Sequence, residues 1–161
     1  MRAKCACTIA MTVLLAMVAF GAAPSAQAKG CTMYGAAGQY AFTLTGVLIT
    51  PAGAVPAAAV GRATVDFAGH VTGTEARNVG GGYADETFSG TLTVNADCTG
   101  SMTLNFYDSG QLVRTSILSI VFEDNQQALR MVQKSLTLPN GTNVPVVITA
   151  DARKMFTEDQ D

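Results

Sequence analysis

Thr87-Phe88-Ser89-Gly90-Thr91-Leu92-Thr93-Val94-Asn95 is the stretch that decides the fold class of this chain. Its apolar residues Phe88, Leu92 and Val94 lie at even positions, and polar residues lie between them. A β-strand places successive side chains on opposite faces, whereas an amphipathic helix needs apolar residues three and four positions apart. The alternation therefore predicts a strand with one face in a core and the other facing solvent.

The same alternation recurs along the chain between short turn signals. We predict eight strands, near residues 38–50, 60–67, 70–79, 86–96, 101–107, 113–122, 127–137 and 144–153. Residues 50–59 are rich in Pro and Ala, and we expect a flexible loop there, over a barrel mouth. Short, regularly spaced strands indicate an antiparallel meander, which forms a barrel or a sandwich. Because closure removes exposed sheet edges, we predict an all-β, antiparallel up-and-down barrel of about eight strands.

Residues 1–28 have the three parts of a signal peptide. Arg2 and Lys4 form a basic start, residues 8–20 are apolar, and residues 26–28 read Ala-Gln-Ala before Lys29. The apolar run is short for a bilayer span of about 20 residues. We expect cleavage before Lys29, a secreted or periplasmic protein, and no stable membrane insertion. Residues 29–153 would then form one barrel domain, and residues 154–161 a polar tail.

The charge pattern argues against nucleic acid as a partner. Charged residues make up 14% of the chain and the formal net charge is −2. The basic residues are scattered singly, without the basic patch that phosphate backbones require.

Two cysteines remain after the expected cleavage, Cys31 and Cys98, since Cys5 and Cys7 lie in the leader. An oxidising compartment allows such a pair to form a disulfide. Closing a loop of about 68 residues would stabilise the fold by about 4 kcal/mol in the chain-entropy model. The chain has no Cys-x-x-Cys outside the leader, so we predict a structural bond.

Three segments carry a resemblance to a known group of proteins. They are Gly-Gln-Tyr-Ala-Phe-Thr-Leu-Thr-Gly (38–46), Val-Asp-Phe-Ala-Gly-His-Val-Thr-Gly-Thr-Glu (65–75) and Phe-Ser-Gly-Thr-Leu-Thr-Val-Asn-Ala-Asp-Cys-Thr-Gly (88–100). Together with Cys31-Thr32, they resemble small exported bacterial proteins, mostly uncharacterised, over residues 31–106. The resemblance implies a calycin-like barrel of the allene-oxide-cyclase or lipocalin type, and it supports the cysteine pairing. It says very little about activity.

No catalytic or metal-binding residues are predicted. His70 is the only histidine and lies at a predicted turn. Asp66 and Glu75 are close to it in sequence, so a catalytic triad with a serine or threonine stays open as an alternative. The chain has no Gly-x-Ser-x-Gly motif to carry a nucleophilic serine. One histidine and two paired cysteines do not supply a zinc ligand set. Two adjacent acidic pairs, 85–86 and 123–124, are interpreted as solvated turn residues.

The aromatic residues are the best functional signal, because a barrel of about eight strands either fills its interior or holds one small ligand. The candidates for lining the interior are Tyr34, Tyr40, Phe42, Phe67, Tyr83, Phe88, Phe106, Tyr107 and Phe122. We select Tyr40, Phe42, Phe88 and Phe106 as ligand-binding residues.

We predict a non-enzymatic binder of a small apolar molecule, without a cofactor. Two alternatives remain open. One is a cyclase or isomerase of allene-oxide-cyclase type, which rests on the resemblance, and the other is a surface-interaction protein with a filled core. The sequence leaves the oligomeric state open.

Overall fold

Eight antiparallel strands close into a barrel in the computed structural model, which describes residues 30–155. Each strand pairs with the next in sequence, and the eighth pairs with the first. The strands are β1 (Gly38–Thr50), β2 (Gly53–Val65), β3 (His70–Val79), β4 (Gly82–Val94), β5 (Thr99–Asp108), β6 (Gln111–Glu123), β7 (Ala128–Thr137) and β8 (Val146–Lys154). The predicted up-and-down barrel is confirmed. The expected signal peptide lies outside the described residues.

The inward rows of side chains follow the alternation seen in the sequence. On β4, Phe88 and Leu92 are buried, whereas Thr87 and Thr91 are exposed. The ring of Phe88 covers Gly73, the residue directly opposite it on β3, where a Cβ atom would collide with that ring. A glycine in the inward row thus makes room for a large neighbour.

The prediction of a flexible loop at residues 50–59 was wrong, because β2 begins at Gly53. Alanine and proline are weak strand formers, so the local signal was poor. Hydrogen bonding to β1 along its whole length holds β2 in the strand conformation in spite of this weak local preference. Pro56 is tolerated because the β2–β3 ladder ends at the next residue, Ala57, and the Pro56 carbonyl accepts a hydrogen bond from Gly80 N–H at 2.9 Å.

β4 begins at Gly82, four residues before the predicted start. Gly80 and Gly81 form a two-residue hairpin turn, and both have positive φ angles, of 57° and 93°. Such a turn lets two strands pair directly up to its ends. The acidic residues 85–86 therefore lie inside a strand and not at a loop junction.

A short N-terminal segment covers one end of the barrel. It includes helix α1 (Met33–Ala36), and the buried Tyr40 hydroxyl donates to the Ala36 carbonyl at 2.7 Å. The Gln126 side chain pairs with the backbone of Thr32, accepting from its N–H at 3.1 Å and donating to its carbonyl at 2.7 Å. We call this covered end the floor of the barrel.

The disulfide between Cys31 and Cys98 holds the same segment, as predicted. Cys98 lies in the β4–β5 turn, and Cys31 N–H also donates to the Ala96 carbonyl in that turn at 3.2 Å. The bond therefore ties the cover of the floor to the barrel wall. Within residues 30–155 we find no helix of the length and hydrophobicity needed to cross a bilayer.

Candidate ligand-binding cavity

The interior of the barrel contains a cavity of about 320 Å³ above the floor. This volume lies within the range of small-molecule pockets, about 300–1,000 Å³. Most of the residues that line it are apolar. Its rim, at the end opposite α1, consists of half-buried side chains near the strand ends, which are Leu48, Val79, Val113, Leu138 and Val144. The cavity is therefore reached from the open end.

Tyr40, Phe42, Phe88 and Phe106 all line this cavity. The rings of Phe42 and Phe88 meet edge to face, with centroids 5.9 Å apart, and the rings of Phe88 and Phe106 are 5.3 Å apart. β1, β4 and β5 contribute one inward position each to this aromatic group, and Tyr40 lies below it at the floor. The structure thus brings together the four residues selected from the sequence.

Three of the other aromatic candidates lie outside the barrel. Tyr34 and Phe67 are 79% and 69% exposed and stack on each other, with centroids 5.2 Å apart. Tyr83 is 65% exposed, because odd-numbered positions of β4 point outward. The expectation that these residues line the interior was wrong. Tyr34 and Phe67 lie in the cover and in the β2–β3 turn, where strand alternation does not apply.

A network of four charged side chains lies at the wall of the cavity; three of them line it, Glu75, Arg77 and Arg114, and none was predicted as a site residue. Glu75 and Glu86 face each other across β3 and β4, and each side chain is only 1% exposed. Arg77 donates to Oε1 of Glu86 through Nε at 2.9 Å and Nη2 at 2.6 Å. Arg114 bridges the two carboxylates, donating to Oε1 of Glu75 at 2.6 Å and also to Oε2 of Glu86.

The alternation of β6 positions Arg114. The even-numbered residues of β6 from Ser116 to Phe122 are buried, and Arg114 continues this row, paired with Phe106 on β5. The β5–β6 register shifts only beyond this pair, where Val113 is the extra residue of a bulge. Arg114 therefore points toward the interior with the rest of its row. Its guanidinium lies 3.8 Å from the centroid of the Phe106 ring, a cation–π contact that adds to its ion pairs.

The two buried carboxyl groups differ in their titration. Burial raises the pKa of Glu75 above its ordinary value, the charge of Glu86 acts in the same direction, and Arg114 offsets only part of the effect. Burial also acts to raise the pKa of Glu86, but hydrogen bonds and charge from Arg77 and Arg114 outweigh it and lower that pKa. Glu86 is therefore the ionised centre of the network, and Glu75 is the group that takes up a proton more readily.

The interpretation of residues 85–86 as a solvated acidic pair was wrong for one member. Asp85 is exposed and accepts from the Tyr83 hydroxyl at 2.5 Å, whereas Glu86 points inward. The signal was present in the sequence, since Glu86 precedes Phe88 by two positions and shares its face. Residues 123–124 are exposed, and they form ion pairs with Arg130 and Arg153.

A second polar pair lies elsewhere in the lining. Gln133 donates from Nε2 to the Ser116 hydroxyl at 2.9 Å and to the Ser135 carbonyl at 3.0 Å. Gln133 and Ser116 are both buried, on β7 and β6. Like the charged network, this pair connects neighbouring strands inside the barrel.

His70 takes no part in the cavity. It is exposed at the start of β3, and its Nδ1 lies 2.8 Å from Oδ2 of Asp66. Glu75 points into the barrel, so the structure does not bring these three residues together. Within residues 30–155, no cluster of three or more histidine, cysteine, aspartate or glutamate side chains is arranged to hold a metal ion.

Comparison with known proteins adds information about the fold. No protein-family model and no curated protein matches this chain. The solved structure of EF1p2_mFAP2b bound to DFHBI is similar, with a TM-score of 0.53 and 10% sequence identity. The match covers 76% of this chain and 95% of that chain. At this identity the likeness concerns the fold alone.

Proposed function

We propose that this protein binds one small, mostly apolar molecule inside its barrel and releases it unchanged. The observation that carries the proposal is the cavity of about 320 Å³ with an aromatic group in its wall and an open rim. At about 24 cal/mol per Å³, an empty space of this size forgoes on the order of 8 kcal/mol of packing. A barrel with a purely structural role would avoid this loss, because the side chains of eight strands can fill the interior of the barrel.

The similar barrel EF1p2_mFAP2b, which binds DFHBI, supports this proposal by analogy of fold. We propose that Tyr40, Phe42, Phe88 and Phe106 contact the ligand in this chain. Planar rings at the positions of Phe42 and Phe88 offer edge and face contacts to a flat apolar molecule.

A cavity-filling variant tests the proposal. Ala57 lines the cavity from β2, and its neighbour Ala58 points outward and is exposed. We expect Ala57→Leu to weaken binding of 2-methoxynaphthalene, followed by its fluorescence, at least tenfold, since the new side chain occupies the space of the ligand. Ala58→Leu is the matched control and should bind the probe as the parent does. Absence of saturable binding to the parent, or equal effects of the two variants, would contradict the proposal.

We propose in addition that the protein is exported and belongs with the small exported bacterial proteins that residues 31–106 resemble. The signal-peptide pattern of residues 1–28 supports this proposal. The intact mass of protein recovered outside the cytoplasm should correspond to a chain beginning at Lys29. A chain retaining Met1, or a lipid adduct on Cys31, would contradict it.

One observation favours the cyclase or isomerase as a second candidate. A buried carboxyl group with a raised pKa, Glu75, borders an apolar cavity, and such groups are found in acid–base catalysis. We rank it second because Arg77 and Arg114 are already engaged in ion pairs with glutamates. Chromatography of a co-purified ligand, before and after incubation with the protein, separates the two: an isomerase changes the retention of the ligand at unchanged mass, and a binder changes neither.

A further inference from the structure

We infer that the cavity selects uncharged ligands that carry one hydroxyl-type hydrogen-bond donor, a phenol or an alcohol, and that this group donates to Oε2 of Glu75. The inference rests on the proposed ligand binding and names the chemistry of the ligand.

Glu75 offers an acceptor oxygen at the cavity wall. Arg114 donates to Oε1 of Glu75, and among residues 30–155 no hydrogen bond ends on Oε2. The side chain is 1% exposed and lines the cavity. A ligand hydroxyl that donates to this oxygen gains a hydrogen bond in a place from which water is largely excluded.

The charges around the cavity disfavour a charged ligand. The network contains two glutamates and two arginines, and Glu86 accepts from both arginines. The other polar groups of the lining, Ser116 and Gln133, are neutral. A ligand with a full charge would therefore lack a free counter-charge in a space of low polarity, where burying an unpaired ion is strongly unfavourable.

The volume of the cavity limits the size of the ligand. Water occupies about 30 Å³ per molecule in the liquid, so the cavity volume corresponds to roughly ten non-hydrogen atoms. Since the rings of Phe42, Phe88 and Phe106 occupy one wall, a single aromatic frame of two fused rings with one hydroxyl group fits both the volume and the chemistry.

Three probes with a shared naphthalene frame test this inference on the purified protein at pH 7. 2-Naphthol donates a hydrogen bond, 2-methoxynaphthalene accepts only, and 2-naphthoate is an anion. We expect 2-naphthol to bind about tenfold more tightly than 2-methoxynaphthalene, as one additional hydrogen bond predicts, and 2-naphthoate to bind more weakly than both. Tightest binding by 2-naphthoate would overturn the inference and assign the polar end of the ligand to the arginines.

Glu75→Gln places an amide NH2 or a weaker carbonyl acceptor where the carboxylate lies. In this variant, the preference for 2-naphthol over 2-methoxynaphthalene should fall to about twofold or less. Glu123→Gln, the same change at an exposed site, should keep the full preference. The rival acceptor in the cavity is the Gln133 amide, so loss of the preference in Gln133→Leu and its retention in Glu75→Gln would overturn the assignment.

The probe series also separates this inference from the proposed function. If none of the three probes binds the parent protein, the proposed function fails and the inference fails with it. If 2-methoxynaphthalene binds saturably and 2-naphthol binds no better, ligand binding stands and only the role of Glu75 is refuted. The parent protein alone gives this result, so it does not depend on whether a variant folds.

Discussion

Glu86 is the side chain that holds the buried network together, because it accepts hydrogen bonds from both Arg77 and Arg114. Its removal would leave two guanidinium groups short of a counter-charge inside the barrel. We expect Glu86→Ala to lower the free energy of unfolding by about 3–5 kcal/mol, the usual cost of breaking a buried pair from one side. Urea denaturation measures the change.

Asp85 is the matched control for this substitution, since it is the neighbouring acidic residue and points to solvent. Asp85→Ala should change the free energy of unfolding by no more than about 0.5 kcal/mol, as at an ordinary surface site. Similar losses in the two variants would contradict the placement of Glu86 inside the barrel.

Glu75 should make stability depend on pH in an unusual direction. Its folded pKa is raised by burial, so between about pH 4 and that folded pKa the folded chain binds more protons than the unfolded chain. Stability therefore falls as the pH rises through this window. The lowered pKa of Glu86 has the opposite sign, with its contribution lost only as the pH falls through its folded value.

The difference in unfolding free energy between the parent and Glu75→Gln isolates this effect. We expect the parent to become less stable relative to Glu75→Gln as the pH rises from about 4 to about 8. Urea melts at intervals of one pH unit measure it. If the parent instead became more stable relative to Glu75→Gln as the pH rises, the ionised carboxylate would be the stabilising form.

The two faces of β4 should respond differently to truncation. Phe88 is buried, contacts the rings of Phe42 and Phe106, and covers Gly73. Phe88→Ala should cost about 3 kcal/mol, the low end of the range for a buried ring, because the cavity already adjoins it. Thr91→Ala, on the outer face, should cost at most about 1 kcal/mol, the span of strand propensities.

Denaturant melts of these two variants test the inward and outward rows directly. The Phe88 variant should also bind 2-methoxynaphthalene more weakly than the Thr91 variant does. Equal losses of stability on both faces would contradict the period-two assignment of β4.

β2 is a strand that its own sequence pattern does not predict. Its first seven residues are glycine, alanine, valine and proline, and they carry no alternation of polar and apolar character. Ala57 and Ala59 are nevertheless buried, because β1 pairs with every residue of β2. The strands with bulky apolar residues were predictable, and this one was not, since its conformation comes from its neighbour.

The Cys31–Cys98 bond should stabilise the whole barrel by fastening the cover of the floor. We expect Cys31→Ser or Cys98→Ser to lower the free energy of unfolding by about 2–5 kcal/mol. The double substitution should cost no more than the larger single one, because either change breaks the same bond. Non-reduced parent protein should contain no thiol that an alkylating reagent modifies, as intact mass would show.

Treatment of the parent with a reducing agent should reproduce the loss, and the same treatment should leave the double variant unchanged. An additive loss in the double variant, or an alkylated Cys31 in non-reduced protein, would show that the cysteines act separately.

The alternation of residues determined the barrel class, the aromatic group and the faces of the strands that have bulky apolar residues, and the number of cysteines determined the pair. These features follow from local rules, since a strand that alternates must turn one face inward, and a sheet of such strands gains by closing. Only the tertiary structure decided the cavity and the charged network. Arg114 lies 28 residues from Glu86 and 39 from Glu75 along the chain, and only the arrangement of the strands in the closed barrel brings these side chains together. The empty volume depends on the radius that the pairing of β8 with β1 imposes, and no local pattern encodes that radius.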